Sequence, residues 1–189
     1  MLLITSILAL IISISLHEFC HALAADKLGD PTPRAYGRLT LNPLAHIDPV
    51  GTVLIPLIGT LSGLPVIGWA KPTPIDPYNF QNPRRDEIIV ALAGPLSNFL
   101  LAFLFSRIHH PLSITFVVTS LVLGIFNLLP LPPLDGSKIL LNLLPLESAH
   151  RWQQALEQYG HLLIILLLFS GLLSRIMNPI LAFCLKLLY

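Results

Sequence analysis

The long apolar runs of this chain constrain its fold more than any other feature. The first extends from Met1 to Ala25, and others cover residues 50–70, 88–106 and 112–130, with a shorter run at 161–174. About 20 apolar residues are enough to cross the hydrocarbon core of a bilayer. The chain is 54% hydrophobic and only 11% charged, whereas soluble domains carry about 25% charged residues. The sequence therefore predicts an integral membrane protein.

The longer runs are not equivalent. Residues 88–106 and 112–130 are suited to spanning helices. The N-terminal run is expected to remain as a helix, because no Lys or Arg precedes Lys27 as it would in a signal peptide. The 50–70 run contains glycines and prolines that would leave backbone groups unsatisfied in lipid, so we expect it to be re-entrant or buried in protein. These residues are Gly51, Pro56, Gly59, Gly63, Pro65 and Gly68.

The polar connections contain two candidate strands. Residues Tyr36–Leu41 alternate apolar and polar side chains, and residues 65–71 are a second candidate. We predict an all-α polytopic membrane protein with about four to six hydrophobic segments, a re-entrant segment and short β-strands near the cytoplasmic side. No internal repeat is visible. We therefore expect one domain over residues 1–189, with a core at 1–145 and accessory membrane segments at 146–189.

Charge and cysteine content exclude some functions. The net charge is +1, and no basic cluster of the kind that binds nucleic acid is present. The two cysteines, Cys20 and Cys184, lack the paired spacing of a metal or redox site. We expect no nucleic-acid partner, and cysteine content indicates neither a disulfide framework nor a compartment.

Two histidines and a glutamate interrupt the first apolar run. His17 and His21 are four residues apart, so on a helix both imidazoles lie on one face and can bind one metal ion. Glu18 lies between them, in the HExxH spacing that places a general base beside metal-bound water. The alternative is a pair of histidines hydrogen-bonded within the helix and a chance glutamate. Ionisable groups are costly at membrane depth, which favours the metal site.

Two histidines leave a zinc site incomplete, because catalytic zinc takes three protein ligands and one water. Asp135 is the best candidate for the third ligand. It follows the predicted helix at 112–130, and no other carboxylate lies between Glu87 and Glu147. By itself, an Asp-Gly pair after prolines is most often a turn.

At this point the sequence resembles the site-2 protease family of intramembrane zinc metalloproteases. The resemblance rests on five motifs in the expected order. It implies one zinc ion per chain bound by His17, His21 and Asp135, with Glu18 as the base and Asn127 helping to hold the scissile region. It also implies a single-span membrane protein as substrate. The chain resembles a short form of the family, without room for a PDZ or CBS domain. The motifs are HEFCH (17–21), LNPLAHIDPVG (41–51), GWAKP (68–72), AGPLSN (93–98) and FNLLPLPPLDG (126–136).

The proposed ligands also constrain the topology. His17, His21 and Asp135 must lie at one depth, so an even number of crossings separates the first helix from the end of 112–130. A crossing by residues 50–70 would place Asp135 on the opposite side. Residues 26–86 hold most of the Lys and Arg, so the positive-inside rule predicts a zinc site toward the cytoplasm, and we expect the membrane to be a plasma (inner) membrane.

Several alternatives stay open. A membrane metal-ion or proton transporter also uses buried His, Glu and Asp, although transporters usually show internal repeats. A catalytically inactive relative that binds membrane helices is a second alternative. For His46 and Asp48 a turn and capping role is favoured over a second metal site. Asn98 is expected to bond across helices, with a role beside the metal site as the minority interpretation.

Overall fold

The protein is helical throughout the part that the structure describes. The computed structural model describes residues 2–55, 58, 61 and 69–189, and within them no β-strand is present. Short 3-10 turns lie at Pro43–Ala45 and Pro77–Asn79, and a π-helical turn lies at Pro49–Leu54. The α-helices are α1 (Leu2–Lys27), α2 (Thr32–Ala35), α3 (Pro83–Ser106), α4 (Ser113–Asn127), α5 (Asp135–Leu143), α6 (Leu146–Phe169) and α7 (Leu172–Leu188).

Two helices in this part of the chain, α1 and α3, are long and apolar enough to cross a membrane. The bent pair formed by Gln158–Phe169 and Leu172–Leu188 makes a third span if it is counted as one. Helix α4 has 15 residues, which corresponds to about 22 Å against a hydrocarbon core of about 30 Å. The described residues thus provide two or three candidate spans, and the count of four to six hydrophobic segments stays a prediction.

Burial in α1 is the reverse of that in a soluble protein. The residues Ser13, His17 and His21 are at most 5% exposed, whereas Ile4 and Ile12 are 64% and 42% exposed. In water this pattern would bury polar groups and expose apolar ones at a cost. In a bilayer the apolar side chains face lipid, so the pattern fits an integral membrane protein.

Helix directions follow from the contacts across the bundle. Along α1, His17 contacts Asn98 and His21 contacts Val90, so α1 and α3 are antiparallel. The hydroxyls of Ser13 and Ser120 are 2.9 Å apart. Because Asp135 lies beside His17, α4 runs in the same direction as α1. The end of α1 and the start of α3 therefore lie on the same side of the bundle.

Helix α5 is fixed at both ends. At its start, a Cβ on Gly136 would lie 2.5 Å from the carbonyl carbon of Leu128, so the backbone of the Asp-Gly pair packs directly on the end of α4. At its end, Arg84 of α3 donates to the carbonyl oxygens of Asn142 and Leu144. These carbonyls are the groups that a helix end leaves without an internal partner. The two contacts set the position of Asp135, the first residue of α5.

The C-terminal helices pack against the bundle. Helix α6 ends at Phe169, and Gly171, two residues later, has a φ of 70°, the left-handed conformation that follows many helix ends. The axis then bends by 76° into α7. Leu173 and Met177 of α7 join one apolar cluster with buried residues of α3 and α4. The division into a core and accessory segments at residue 145 stays a prediction.

The strand expected at Tyr36–Leu41 is wrong. The amides of Tyr36, Gly37 and Arg38 donate to carbonyls of residues 32–34, which closes a turn after α2 instead of forming a ladder. The side chain of Arg38 is buried and donates to the carbonyl of Ala45, so the segment packs inward. Alternation of side chains predicted a strand here, but the local hydrogen bonds formed a turn.

The expectation of a re-entrant segment falls mostly outside the described residues, as does the first part of the strand expected at 65–71. Residues 69–71 form no strand. The described flanks lie together: the amide of Trp69 donates to the carbonyl of Gly51 at 3.1 Å, and the hydroxyl of Thr52 donates to the carbonyl of Trp69 at 2.7 Å. The direction of residues 56–68 stays a prediction.

Candidate metal centre

Three ligand atoms converge between α1 and α5. Nε2 of His17 and Nε2 of His21 are 2.9 Å apart, and each is 3.1 Å from Oδ2 of Asp135. All three side chains are buried. Among the residues described by the structure, this is the group of His, Cys, Asp and Glu that could hold a metal ion. The structure thus brings together the three residues that the sequence indicated.

The other nitrogen of each imidazole decides which nitrogen is free for a metal. Nδ1 of His21 lies 2.7 Å from the carbonyl oxygen of Val90, to which only a protonated Nδ1 can donate. Nε2 of His21 in the neutral ring is then an unprotonated acceptor. A metal-bound histidine usually has this arrangement, with its second N–H held by a carbonyl or carboxylate oxygen.

Asn98 is the hydrogen-bond partner of the second ring nitrogen of His17, as the Val90 carbonyl is for His21. Its amide nitrogen Nδ2 lies 3.0 Å from Nδ1 of His17, while its Oδ1 is buried without a hydrogen-bond partner among the described residues. A half-turn of the amide places Oδ1 at Nδ1 of His17 without changing the shape of the side chain. In that orientation Nδ1–H of His17 donates to Asn98 and the buried oxygen gains a partner. Nε2 of His17 is then free as a lone-pair donor.

Gly94 leaves space beside the three ligand atoms. A Cβ at this position would lie 2.6 Å from Nε2 of His17 and closer still to Nε2 of His21. A zinc ion lies about 2.0–2.1 Å from a histidine nitrogen. The side chain that Gly94 lacks would therefore occupy the region in which both imidazoles would hold an ion.

The donor set fits zinc. Two imidazoles and one carboxylate are a known set for catalytic zinc, which keeps its fourth position for water or substrate. In a tetrahedral site with such bond lengths, neighbouring ligand atoms are about 3.3–3.4 Å apart. The observed separations of 2.9 and 3.1 Å are a few tenths shorter. Without a cation, the three converging acceptors repel one another. The lone pairs of the two imidazoles, the charge of the Asp135 carboxylate and the space beside Gly94 therefore all favour a bound cation.

Glu18 lies beside this group and is not one of its converging ligands. The carboxylate is half-buried, and its Oε2 accepts two hydrogen bonds from Thr73. One comes from the Thr73 amide at 2.9 Å and the other from its hydroxyl at 2.7 Å. The sequence analysis missed Thr73. The quoted motif GWAKP ends one residue before it, and a threonine between two prolines was the available signal.

Asn127 is placed differently from the other predicted site residues. It is the last residue of α4, and its Nδ2 donates to the carbonyl oxygen of Leu123 within the same helix at 3.0 Å. No hydrogen bond within the described residues joins it to His17, His21 or Asp135. Its role near the scissile region stays a prediction.

His46 and Asp48 have the turn and capping roles that the sequence favoured. Nε2 of the buried His46 donates to the carbonyl oxygen of Thr40 at 2.8 Å. Asp48 accepts from the amides of Val50 and Gly51 at the start of the π-helical turn. Asn98 bonds across helices as expected, and because its partner is His17 it also has the minority role beside the metal site.

Comparison with known proteins agrees with this geometry. The chain is 38% identical over 193 residues to "Putative zinc metalloprotease YwhC" of Bacillus subtilis (strain 168), covering 93% of this chain and 84% of the relative. The family described as Peptidase family M50 matches residues 104–170. The chain belongs to peptidase family M50. This is the site-2 protease family, so the resemblance found in the sequence is confirmed.

Other M50-type relatives give the same result. The chain is 34% identical over 180 residues to "Putative zinc metalloprotease Rip2" of Mycolicibacterium smegmatis (strain ATCC 700084 / mc(2)155), covering 87% of this chain and 66% of the relative. It is 31% identical over 109 residues to "Zinc metalloprotease MJ0392" of Methanocaldococcus jannaschii, covering 52% and 32% respectively. No solved structure matches the chain. The M50 family is zinc-dependent, and the predicted cofactor is confirmed as zinc.

Proposed function

We propose that this M50 metallopeptidase is an intramembrane endopeptidase. It hydrolyses peptide bonds in or near the transmembrane helices of single-span membrane proteins, as in regulated intramembrane proteolysis. The observation that carries the proposal is the convergence of His17, His21 and Asp135 with Glu18 beside them. The three ligand side chains are buried between helices whose outer faces are apolar.

The roles of the residues follow from their chemistry. His17, His21 and Asp135 would hold one zinc ion, which supplies a Lewis acid for the scissile carbonyl and lowers the pKa of a bound water. Glu18 takes a proton from the attacking water and passes it to the leaving amine. Asn127 steadies the peptide near the scissile bond. Asn98 and the carbonyl of Val90 orient the two imidazoles.

We also propose a topology for the chain. The antiparallel pairing of α1 with α3 and the parallel arrangement of α1 with α4 support an even number of crossings between Lys27 and Pro83. The hydrogen bonds that join Trp69 to Gly51 and Thr52 support a 50–70 segment that returns to the face it left. The excess of Lys and Arg on this side supports a zinc site toward the cytoplasm of a plasma (inner) membrane.

Cysteine labelling tests this topology. Tyr36 and Tyr78 are 71% and 95% exposed, and His110 lies in the connection between α3 and α4. Single cysteines at Tyr36 and Tyr78 should react with an impermeant reagent only from the cytoplasmic side, and one at His110 only from the opposite side. Opposite accessibility of positions 36 and 78 would contradict the even number of crossings.

Cleavage of a defined substrate tests the activity. Purified protein in detergent or liposomes should cut at least one single-span membrane protein from a candidate panel. A zinc chelator should stop the cutting, and added zinc should restore it. A transporter gives a different result, because it moves zinc or protons across the liposome membrane and releases no fragment. Ion flux without cleavage would overturn the proposal, and an inactive helix-binding relative would show binding alone.

A further inference from the structure

The loop from Lys71 to Asn79, here the 71–79 loop, is attached at two places, to α1 and to the connection that follows α1. Near its start, Thr73 donates to Glu18. Near its end, the amide of Asp76 and the side-chain amide of Asn79 donate to the buried carboxylate of Asp30, each at 2.8 Å. The loop therefore connects the predicted base to the cytoplasmic end of α1.

The two donors of Thr73 reach the same oxygen of Glu18. The amide and the hydroxyl are 2.9 and 2.7 Å from Oε2, and the hydroxyl oxygen is also 3.2 Å from the Glu18 carbonyl oxygen. No other hydrogen bond to the Glu18 carboxylate occurs within the described residues. Oε2 is thus engaged twice, and Oε1 is the oxygen left to receive a proton.

The local sequence prepares Thr73 for this contact. Pro72 and Pro74 flank it and have no amide hydrogen, so Thr73 carries the one backbone donor of this tripeptide. A residue before proline is also restricted to extended conformations. Because the prolines limit the unfolded chain, less conformational entropy is lost when Thr73 is held in place. Thr73 as a whole residue is 8% exposed, so both hydrogen bonds are shielded from water.

The loop is held on its other side as well. The amide of Lys71 donates to the carbonyl oxygen of His46 at 2.9 Å. With the Asp30 contacts this fixes residues on both sides of Thr73. A threonine held in this way can orient a carboxylate, because its own position does not depend on the carboxylate.

We propose that Thr73 is a positioning residue for Glu18. Its amide and hydroxyl hold Oε2, which fixes the plane of the carboxylate and assigns proton transfer to Oε1. This inference rests on the proposed peptidase function. It deepens that function by naming the residue that orients the base and by placing that residue on a cytoplasmic loop.

Two substitutions of Thr73 separate positioning from simple packing. Thr73→Val keeps the shape and the amide but removes the hydroxyl, so the carboxylate keeps one of its two restraints. We expect kcat for a single-span substrate to fall about 10-fold, with KM changed less than about 2-fold, since small misplacement of a catalytic group lowers rate more than binding. Thr73→Ser keeps both donors and should restore kcat to within about 3-fold of the wild type. Bound zinc should be unchanged in both variants.

Thr52→Val is the matched control. The hydroxyl of Thr52 also joins two parts of this cytoplasmic region, donating to Trp69 and accepting from Asp48, but it does not contact Glu18. If Thr73 acts only by holding the loop, Thr52→Val and Thr73→Val should lower kcat to a similar extent. If Thr73 positions Glu18, only Thr73→Val should lower it.

Hydrogen exchange gives a second readout that does not depend on activity. Because Pro72 and Pro74 contribute no amide signal, a short peptide over this region reports Thr73 with few other sites. Glu18→Ala removes the acceptor, so exchange at Thr73 should accelerate, while exchange at Asp76, which donates to Asp30, should not change.

The outcomes are distinguishable. A wild-type protein that cleaves no substrate contradicts the proposed peptidase function and, with it, the positioning role. Wild-type cleavage together with undiminished kcat in Thr73→Val contradicts the positioning role alone. So does equal loss in Thr73→Val and Thr73→Ser, or unchanged exchange of the Thr73 amide in Glu18→Ala.

Discussion

Gly94 offers a quantitative test of the metal centre, because its missing side chain leaves room where an ion would be held. In Gly94→Ala the added Cβ would start 2.6 Å from Nε2 of His17 and closer to Nε2 of His21. Normal contact distances are about 3.5 Å, so at least one imidazole must move by about 0.9 Å. Zinc–ligand distances tolerate deviations of only about 0.2 Å.

The expected result is loss of zinc without loss of the fold. Losing a partner that merely orients a zinc ligand already lowers affinity about 10- to 100-fold. Displacing a ligand directly should lower it by at least about 100-fold. Helix α3 itself should not suffer, because Ala is about 1 kcal/mol more favourable than Gly inside a helix. The assay is zinc content after equilibration in graded zinc buffers, with helical circular dichroism and unfolding temperature measured in parallel.

Gly124→Ala is the control for this substitution. Gly124 is also buried inside a helix, but a Cβ there would lie 3.3 Å from the ring of Phe99 and from the carbonyl oxygen of Pro95. A shift of a few tenths of an ångström accommodates that contact, so zinc affinity should stay near that of the wild type. A Gly94→Ala protein that is folded and binds zinc with unchanged affinity would refute the placement of the ion beside Gly94.

Three further substitutions test the surroundings of the site. Asn98→Leu should weaken zinc binding about 10- to 100-fold, because Nδ1–H of His17 loses its acceptor. Asn98→Asp keeps an acceptor oxygen and should bind zinc with an affinity close to that of the wild type. Equal zinc titrations for the two variants would contradict the amide orientation. Gly136→Ala should destabilise the protein by about 1–3 kcal/mol in denaturant unfolding, because the added Cβ meets the backbone carbonyl of Leu128, and an unchanged midpoint would count against this close packing. Burial raises the pKa of Asp30, but the hydrogen bonds that it accepts outweigh burial and lower the pKa. Its stabilising effect is therefore present above its unfolded pKa of about 3.9 and is lost as pH falls through the lower folded pKa. Asp30→Asn should lower the unfolding temperature at pH 7 and flatten its decline below about pH 4, and identical acid profiles would exclude this role.

The metal site was predictable because its chemistry leaves few alternatives in a membrane. His17 and His21 share a helix face at a spacing of four, and the cost of burying ionisable groups argued that a cation joins them. Asp135 was the best candidate for the third ligand, and the resemblance to the site-2 protease family implied the complete ligand set. The structure places the three ligand atoms within 3.1 Å of one another.

The parts that could not be predicted depend on long-range contacts. Thr73 and Glu18 are 55 residues apart, and only the packing of the 71–79 loop on α1 brings them together. The strand expected at Tyr36–Leu41 had the right alternation, but no neighbouring strand exists among the described residues, and its amides instead closed a local turn. Helix α4 ends at Asn127, short of the predicted residue 130, and residues 128–134 form turns before α5 begins. Hydropathy identifies an apolar run but does not show where the helix within it ends.

The most direct test of the central claim compares zinc content and cleavage in Glu18→Gln. The substitution preserves size and most hydrogen bonding but removes the base, while His17, His21 and Asp135 are left intact. We predict that the variant keeps one zinc per chain, as the wild type does, and that cleavage of a single-span substrate falls by about 100-fold or more. Cleavage that survives with zinc bound would show that another group is the base. Loss of zinc in Glu18→Gln would show that Glu18 belongs to the metal site itself, and either result would contradict the account.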